Sequence, residues 1–190
     1  MKVLGICCSP RVRGNTEIML RATLDTAQAE GAEVELVALA KKTVAPCDAC
    51  YSCRNTGECH IDDDMQEIYP KLLEADGIIF ASPVYFWSVT AQAKALLDRT
   101  YALHFEKRLR NKVAGVVLAK ARSGGTAALA VFDGYCNLQQ MIVVGRAMGF
   151  GGREKGETKK DKLGLAQAEA LGKIVVKYIE TNKILFKIPV

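Results

Sequence analysis

Four cysteines, Cys47, Cys50, Cys53 and Cys59, lie close together in a chain that holds seven. Thiols at such density in a reducing compartment serve metal or redox chemistry more often than disulfide bonding. The two-residue intervals let a tight loop turn three thiolates toward one centre, and Gly57 permits the turn that brings in Cys59. Structural zinc more often joins two Cys-x2-Cys knuckles across a longer spacer, which this compressed segment lacks. Redox-switching thiols are the third reading. Asp62, Asp63 and Asp64 follow the last cysteine and place negative charge beside any such centre, which makes its reduction harder. His60 and His104 are read as surface or structural residues. Cys7, Cys8 and Cys136 are read as small buried apolar side chains.

Three other segments suit a ligand rather than a metal. Ser9-Pro10-Arg11-Val12-Arg13-Gly14-Asn15-Thr16 is neither GxGxxG nor GxxxxGK[ST], so a dinucleotide or a nucleoside triphosphate is disfavoured. Between a strand and a helix start it offers backbone N–H groups, the polar side chains of Ser9, Asn15 and Thr16, and the charges of Arg11 and Arg13. Those suit a phosphomonoester. Pro83-Val84-Tyr85-Phe86-Trp87 sets three aromatic side chains in a row, including the single tryptophan, and three adjacent side chains cannot all enter one core. Ser123, Gly124 and Gly125 let the main chain approach a ligand closely. A phosphate nest, an aromatic wall and a glycine-rich lid together describe FMN.

The elements that must position these residues alternate along the whole chain. Strands are predicted over Lys2–Cys8, Glu33–Leu39, Gly77–Ala81, Lys112–Ala119 and Met141–Gly145, the last running into a glycine-rich stretch. Helices are predicted over Asn15–Glu30, Met65–Leu73 with Asp64 as its cap, Thr90–Leu103, Gly125–Leu138 and Leu163–Glu180. Parallel strands joined by right-handed helical crossovers give a doubly wound α/β sheet, whose ligands sit at the C-terminal strand ends. One domain over residues 1–190 is expected, with a cysteine loop at 44–61. At 49% apolar and 25% charged residues, disordered and fibrous classes are excluded. The net charge of +5 is too dispersed for a nucleic-acid footprint, and no apolar run approaches a membrane span. The first residues read as a buried strand rather than a signal peptide, so a cytoplasmic location is expected.

GxxxSPRxxGNT from Gly5 to Thr16, the four-cysteine segment with Ile61-Asp62-Asp63-Asp64-Met65, and Ala75-Asp76-Gly77-Ile78-Ile79-x-x-Ser82-Pro83-Val84-Tyr85 resemble the NADPH-dependent FMN reductase superfamily. Within it they look most like the iron-sulfur flavoproteins. The resemblance implies a flavodoxin-like fold with strand order 2-1-3-4-5, FMN in the three loops, and a 4Fe-4S cluster on the four clustered cysteines. It further implies electrons arriving from a reduced carrier such as ferredoxin and leaving to oxygen, peroxide or a quinone. A homodimer or homotetramer is implied as well. Cys7-Cys8 departs from the family, which has a small residue and glycine before Ser-Pro. An NAD(P)H-dependent FMN or quinone reductase without a cluster, and a thiol- or metal-based redox-sensing module, are the alternatives.

Overall fold

Alternation along the first strand decides how the sheet is clothed. In the computed structural model, which describes residues 1–185, β1 spans Lys2–Cys7. Its Leu4 and Ile6, followed by Cys8, pack on one face, while Val3 and Cys7 pack on the other. Both sets are buried, as a central strand requires. Cys7 and Cys8 therefore point into the two opposite cores and do not crowd the loop that follows them.

Around β1 lie β2 (Glu33–Ala38), β3 (Gly77–Pro83), β4 (Val113–Lys120) and β5 (Ile142–Phe150). All pairs are parallel and the order is 2-1-3-4-5. Helices α1 (Asn15–Ala29) and α7 (Lys162–Leu185) cover one face. On the other lie α3 (Met65–Glu74), α4 (Ala91–Arg99), α5 (Tyr101–His104) and α6 (Gly125–Leu138), while the short α2 (Cys53–Thr56) belongs to the cysteine loop. The first of these layers comes unusually close: a Cβ on Gly5 would meet Leu24 Cδ1 of α1 at 2.7 Å. No helix among the described residues is long and apolar enough to cross a membrane. The last five residues of the expected domain lie outside the described ones.

Three elements differ from expectation. The helix predicted over Thr90–Leu103 is broken at Thr100, whose hydroxyl donates to the Leu97 carbonyl at 2.6 Å and competes with the helical ladder. The fifth strand does not stop at Gly145. A register shift opposite Ala114 and Gly115 absorbs one residue, and pairing then continues to Phe150. Asp64 stands before α3 but does not cap it with its side chain. Its carboxylate accepts from the Thr43 N–H at 2.6 Å and from Lys42 at 3.1 Å, while Asp63 Oδ1 accepts from the Met65 N–H at 2.9 Å and serves the helix start instead.

Candidate functional site

The C-terminal ends of β1, β3, β4 and β5 open on one cleft of about 270 Å³. From the first loop come Ser9, Arg11, Asn15 and Thr16, and from the end of β3 come Pro83, Val84 and Tyr85. Thr90 fixes these two loops against each other: its hydroxyl donates to the Cys8 carbonyl at 2.8 Å and accepts the Ala93 N–H at 3.1 Å, capping α4. Ala119, Lys120 and Ala121 follow from β4, and Gly151, Gly152 and Arg153 close the far side. The last three were not legible as site residues. Only the extension of β5 to Phe150 carries its loop to this edge.

The cleft fits an anion. Arg11, Lys120 and Arg153 line it, and no acidic side chain does among the described residues. Helix α1 begins at Gly14 without a side-chain cap, so its first-turn N–H groups lack an intrahelical acceptor and face an incoming ligand with the positive end of the helix dipole. The side-chain amide of Asn15, read from sequence as a phosphate donor, is committed elsewhere. It donates to the carbonyls of Gly151 and of Glu154, the latter at 2.8 Å, and accepts from the Gly156 N–H at 2.7 Å. Arg11 likewise donates to the Arg153 carbonyl at 2.7 Å. Arg13 is exposed in a left-handed conformation with its N–H on Glu17 at 2.7 Å. Arg13 and Gly14 thus shape the loop from outside the cleft wall.

Phe86 and Trp87 follow Tyr85 but do not themselves line the cleft. Tyr85 and Ser88 exchange backbone hydrogen bonds at 2.9 and 3.0 Å, leaving the two residues between them at φ of 45° and 65°. That is a tight turn in which both central residues are left-handed, the place for Asn-Gly rather than two bulky aromatics. Such a conformation costs about 1–3 kcal/mol per residue and persists where the surroundings or a function require it. The Phe86 side chain is wholly exposed and Trp87 is 65% exposed, so the fold gains little from them. Gly124, at φ 88°, backs this turn; a Cβ there would meet Trp87 Cα at 3.0 Å. Gly125 packs toward Met148 and Lys120, and Ser123 is exposed beside them.

The cysteine loop occupies the connection between β2 and α3. Cys47, Cys50, Cys53 and Cys59 line one small cavity, as the spacing predicts, and the buried Arg99 lines it with them. Gly57, at φ 72°, ends α2 and turns the chain toward Cys59. Burial pushes the Cys53 thiol up, and negative charge at Cys59, Cys47 and Cys50 pushes it further. A mononuclear tetrahedral zinc with bonds of 2.3 Å requires sulfurs about 3.8 Å apart. Among the described residues the ligating atoms found within 4.8 Å of one another are those of Asp48, Cys50 and His60, never three cysteine sulfurs. An all-thiol set with wider separation fits a polynuclear centre better than zinc.

Two of the three acidic charges that follow Cys59 are compensated, which the sequence did not suggest. Asp63 pairs with Arg99 at 2.6 Å and Asp64 with Lys42 at 3.1 Å. Exposed His60 contacts Asp48 at 2.8 Å, and Asp48 in turn accepts the Cys50 N–H at 3.1 Å. These contacts, Cys50 N–H first, hold the Asp48 carboxyl below its usual range. His104 stacks on Tyr101 and does not line the cavity of the four thiols.

Residues 1–154 match the family described as NADPH-dependent FMN reductase. An iron-sulfur flavoprotein of Methanocaldococcus jannaschii is 42% identical over 96% of this chain and all of its own length. Another, from Methanosarcina thermophila, is 38% identical over 95% of this chain and 96% of its own. Among solved structures, RosB with bound 8-demethyl-8-formylriboflavin-5'-phosphate superposes with a TM-score of 0.81 at 20% identity, covering 97% of this chain and 81% of its own. The Trp repressor binding protein from Bacillus subtilis gives 0.68 at 20% identity over 90% and 99%. The structural likenesses establish the flavodoxin-like fold, and the sequence relatives establish more: the chain belongs to the iron-sulfur flavoprotein family of the NADPH-dependent FMN reductases.

Proposed function

We propose that this chain is an FMN-dependent oxidoreductase that carries a 4Fe-4S cluster on Cys47, Cys50, Cys53 and Cys59 and transfers electrons between a reduced carrier and a small acceptor. The observation that supports the reading most directly is the cavity that Cys47, Cys50, Cys53 and Cys59 line together, where, among the described residues, no three cysteine sulfurs lie within 4.8 Å of one another as a single tetrahedral ion would need. FMN when bound exchanges electrons in pairs or singly, and an iron-sulfur cluster exchanges them singly, so the two together join two-electron to one-electron chemistry.

The chain's own residues supply position and field. The first-turn amides of α1, with Ser9 and Thr16, receive the phosphate, and Arg11, Lys120 and Arg153 balance its charge. Pro83, Val84 and Tyr85 would hold the ring system on this wall, and the exposed Phe86 and Trp87 beside Tyr85 would cover it. Gly124 backs that turn, and Ser123 and Gly125 flank it. No side-chain acid or base is assigned a catalytic role. Ferredoxin suits the donor side, because it delivers electrons singly. Oxygen, peroxide or a quinone suits the acceptor side, and a homodimer or homotetramer is the assembly we infer.

An anaerobic absorption spectrum with iron, acid-labile sulfide and FMN quantitation tests the assignment. Broad iron-sulfur absorbance with four irons per chain is expected, by the definition of the cluster. A pure flavin spectrum overturns it. Cys50→Ala is expected to lose iron and keep FMN, whereas stoichiometric iron in that variant removes Cys50 as a ligand. The family description favours a second reading, a cluster-free enzyme reduced directly by NADPH. Rapid bleaching of the flavin by NADPH in iron-free protein distinguishes it.

A further inference from the structure

Arg99 is the largest fully buried side chain among the described residues, at 1% exposure, and it lines the cavity of the cysteine loop. Its Nη1 donates to the Ala45 carbonyl at 3.0 Å and its Nη2 to the Ile61 carbonyl at 3.1 Å. Those carbonyls stand two residues outside the first and last clustered cysteines, so one guanidinium closes both ends of the loop. The same two nitrogens grip Asp63 at 2.6 and 3.1 Å, and Asp63 also accepts the Ala45 N–H at 2.8 Å. Bidentate, charge-assisted geometry of this kind is stronger than ordinary hydrogen bonding and is rigid.

A buried arginine is usually fully partnered, because a buried N–H without an acceptor is costly. Arg99 Nε has no acceptor in the protein. The cavity that Arg99 lines holds the four thiols beside Asp48, His60, Tyr51 and Tyr101; Asp48 is engaged by His60 and the Cys50 N–H, and sulfur is the acceptor that the four thiols bring to Arg99 Nε. Hydrogen bonds to cluster sulfurs raise the reduction potential, and groups behind a metal ligand fix its orientation.

We propose that Arg99 is the positioning residue of the cysteine site: it preforms the loop by joining Ala45 to Ile61 and gives its remaining N–H to a sulfur of the cluster. The proposal rests on the cluster reading above for its second half only. Lysine at this position keeps the charge but has neither the fork nor the Nε–H.

The test compares full-length wild type with Arg99→Lys and Asp63→Asn. Anaerobic reconstitution is expected to restore about one third or less of the wild-type iron and sulfide in either variant, with FMN at wild-type stoichiometry. The residual cluster of Arg99→Lys is expected at a more negative midpoint potential. In iron-free protein an arginine-specific protease should cut after exposed Arg54 about tenfold faster in both variants, since an open loop is a better substrate. Unchanged cleavage and unchanged iron overturn the loop-closing role, and an unchanged potential in Arg99→Lys overturns the sulfur contact. Loss of FMN together with iron in both variants marks Arg99 as a general core residue and overturns the proposal. If wild type binds neither iron nor sulfide, the cluster reading fails, and the cleavage comparison still decides whether Arg99 closes the loop.

Discussion

Asn15 Oδ1 accepts the Gly156 N–H at 2.7 Å across 141 residues of sequence, so the first turn of α1 holds the loop that follows the last strand. This loop forms one wall of the anion cleft through Gly151, Gly152 and Arg153. Asn15→Ala removes four hydrogen bonds at once and frees that wall. FMN affinity is expected to fall about tenfold, equivalent to roughly 1.4 kcal/mol. Unfolding free energy should drop by about 1–3 kcal/mol. Flavin fluorescence titration and urea denaturation measure the two, and an unchanged affinity would show that the wall stands without Asn15.

The turn at Phe86 and Trp87 makes an opposed pair of expectations. Replacing both, as Phe86→Asn with Trp87→Gly, supplies the residues that a doubly left-handed turn favours. The protein is expected to gain about 1–2 kcal/mol in stability, because strain is relieved and little burial is lost. FMN binding is expected to weaken at least tenfold, a trade of the kind seen where a site stores strain. A variant that is less stable, or that binds FMN as tightly, contradicts the account. Because Trp87 is the single tryptophan, quenching of its emission on addition of FMN to flavin-free wild type provides an independent reading.

Thiol accessibility divides the cysteines cleanly. Burial pushes the Cys7 thiol up to about 11 and the Cys136 thiol up to about 12, and Cys8 is raised as well. A neutral buried thiol is a poor nucleophile. Native iron-free protein at about pH 8 should therefore be alkylated at no more than Cys47, Cys50, Cys53 and Cys59, with the other three reacting only on unfolding. Mass spectrometry after a short pulse reads the sites directly, and early modification of Cys8 would show that the strand end is open.

Asp161 predicts a pH dependence. The N–H groups of Gly164 and Phe150 hold its carboxyl below the ordinary value of 3.8. A depressed carboxyl contributes stability above the unfolded-state value, and that contribution is lost as the pH falls through the lower folded value. Asp161→Asn is accordingly expected to be less stable than wild type at about pH 7, with the difference shrinking as the pH falls through the acid range. Denaturation midpoints across that range check the sign; a difference that grows on acidification contradicts it.

Much of this molecule was readable from residue order. Five apolar runs alternating with amphipathic segments gave the doubly wound parallel sheet, and the family resemblance supplied its strand order, 2-1-3-4-5. Cys47 to Cys59 converged as their spacing required. What escaped reading was non-local. Arg99 looks like one more charged residue on a helix, and only the tertiary fold shows it joined to Ala45 and Ile61. The loop at Gly151 joined the cleft because a one-residue bulge prolonged β5, and bulges leave no mark in hydrophobic period. Asp63 and Asp64 exchanged expected roles for a similar reason: adjacent carboxylates look alike until their partners, Met65 for one and Thr43 for the other, are known.

With Ala45 and Ile61 fastened at a shared side chain, the stretch between them is tied to the fold at its two ends and through the packing of Cys53 and Cys59 on the core. Destruction of an iron centre by oxidation would then disorganise this stretch and stop at its fastened ends, since local opening need not propagate into the core. The flavin half would outlast the damage, and repair would require new iron and sulfide rather than a new protein.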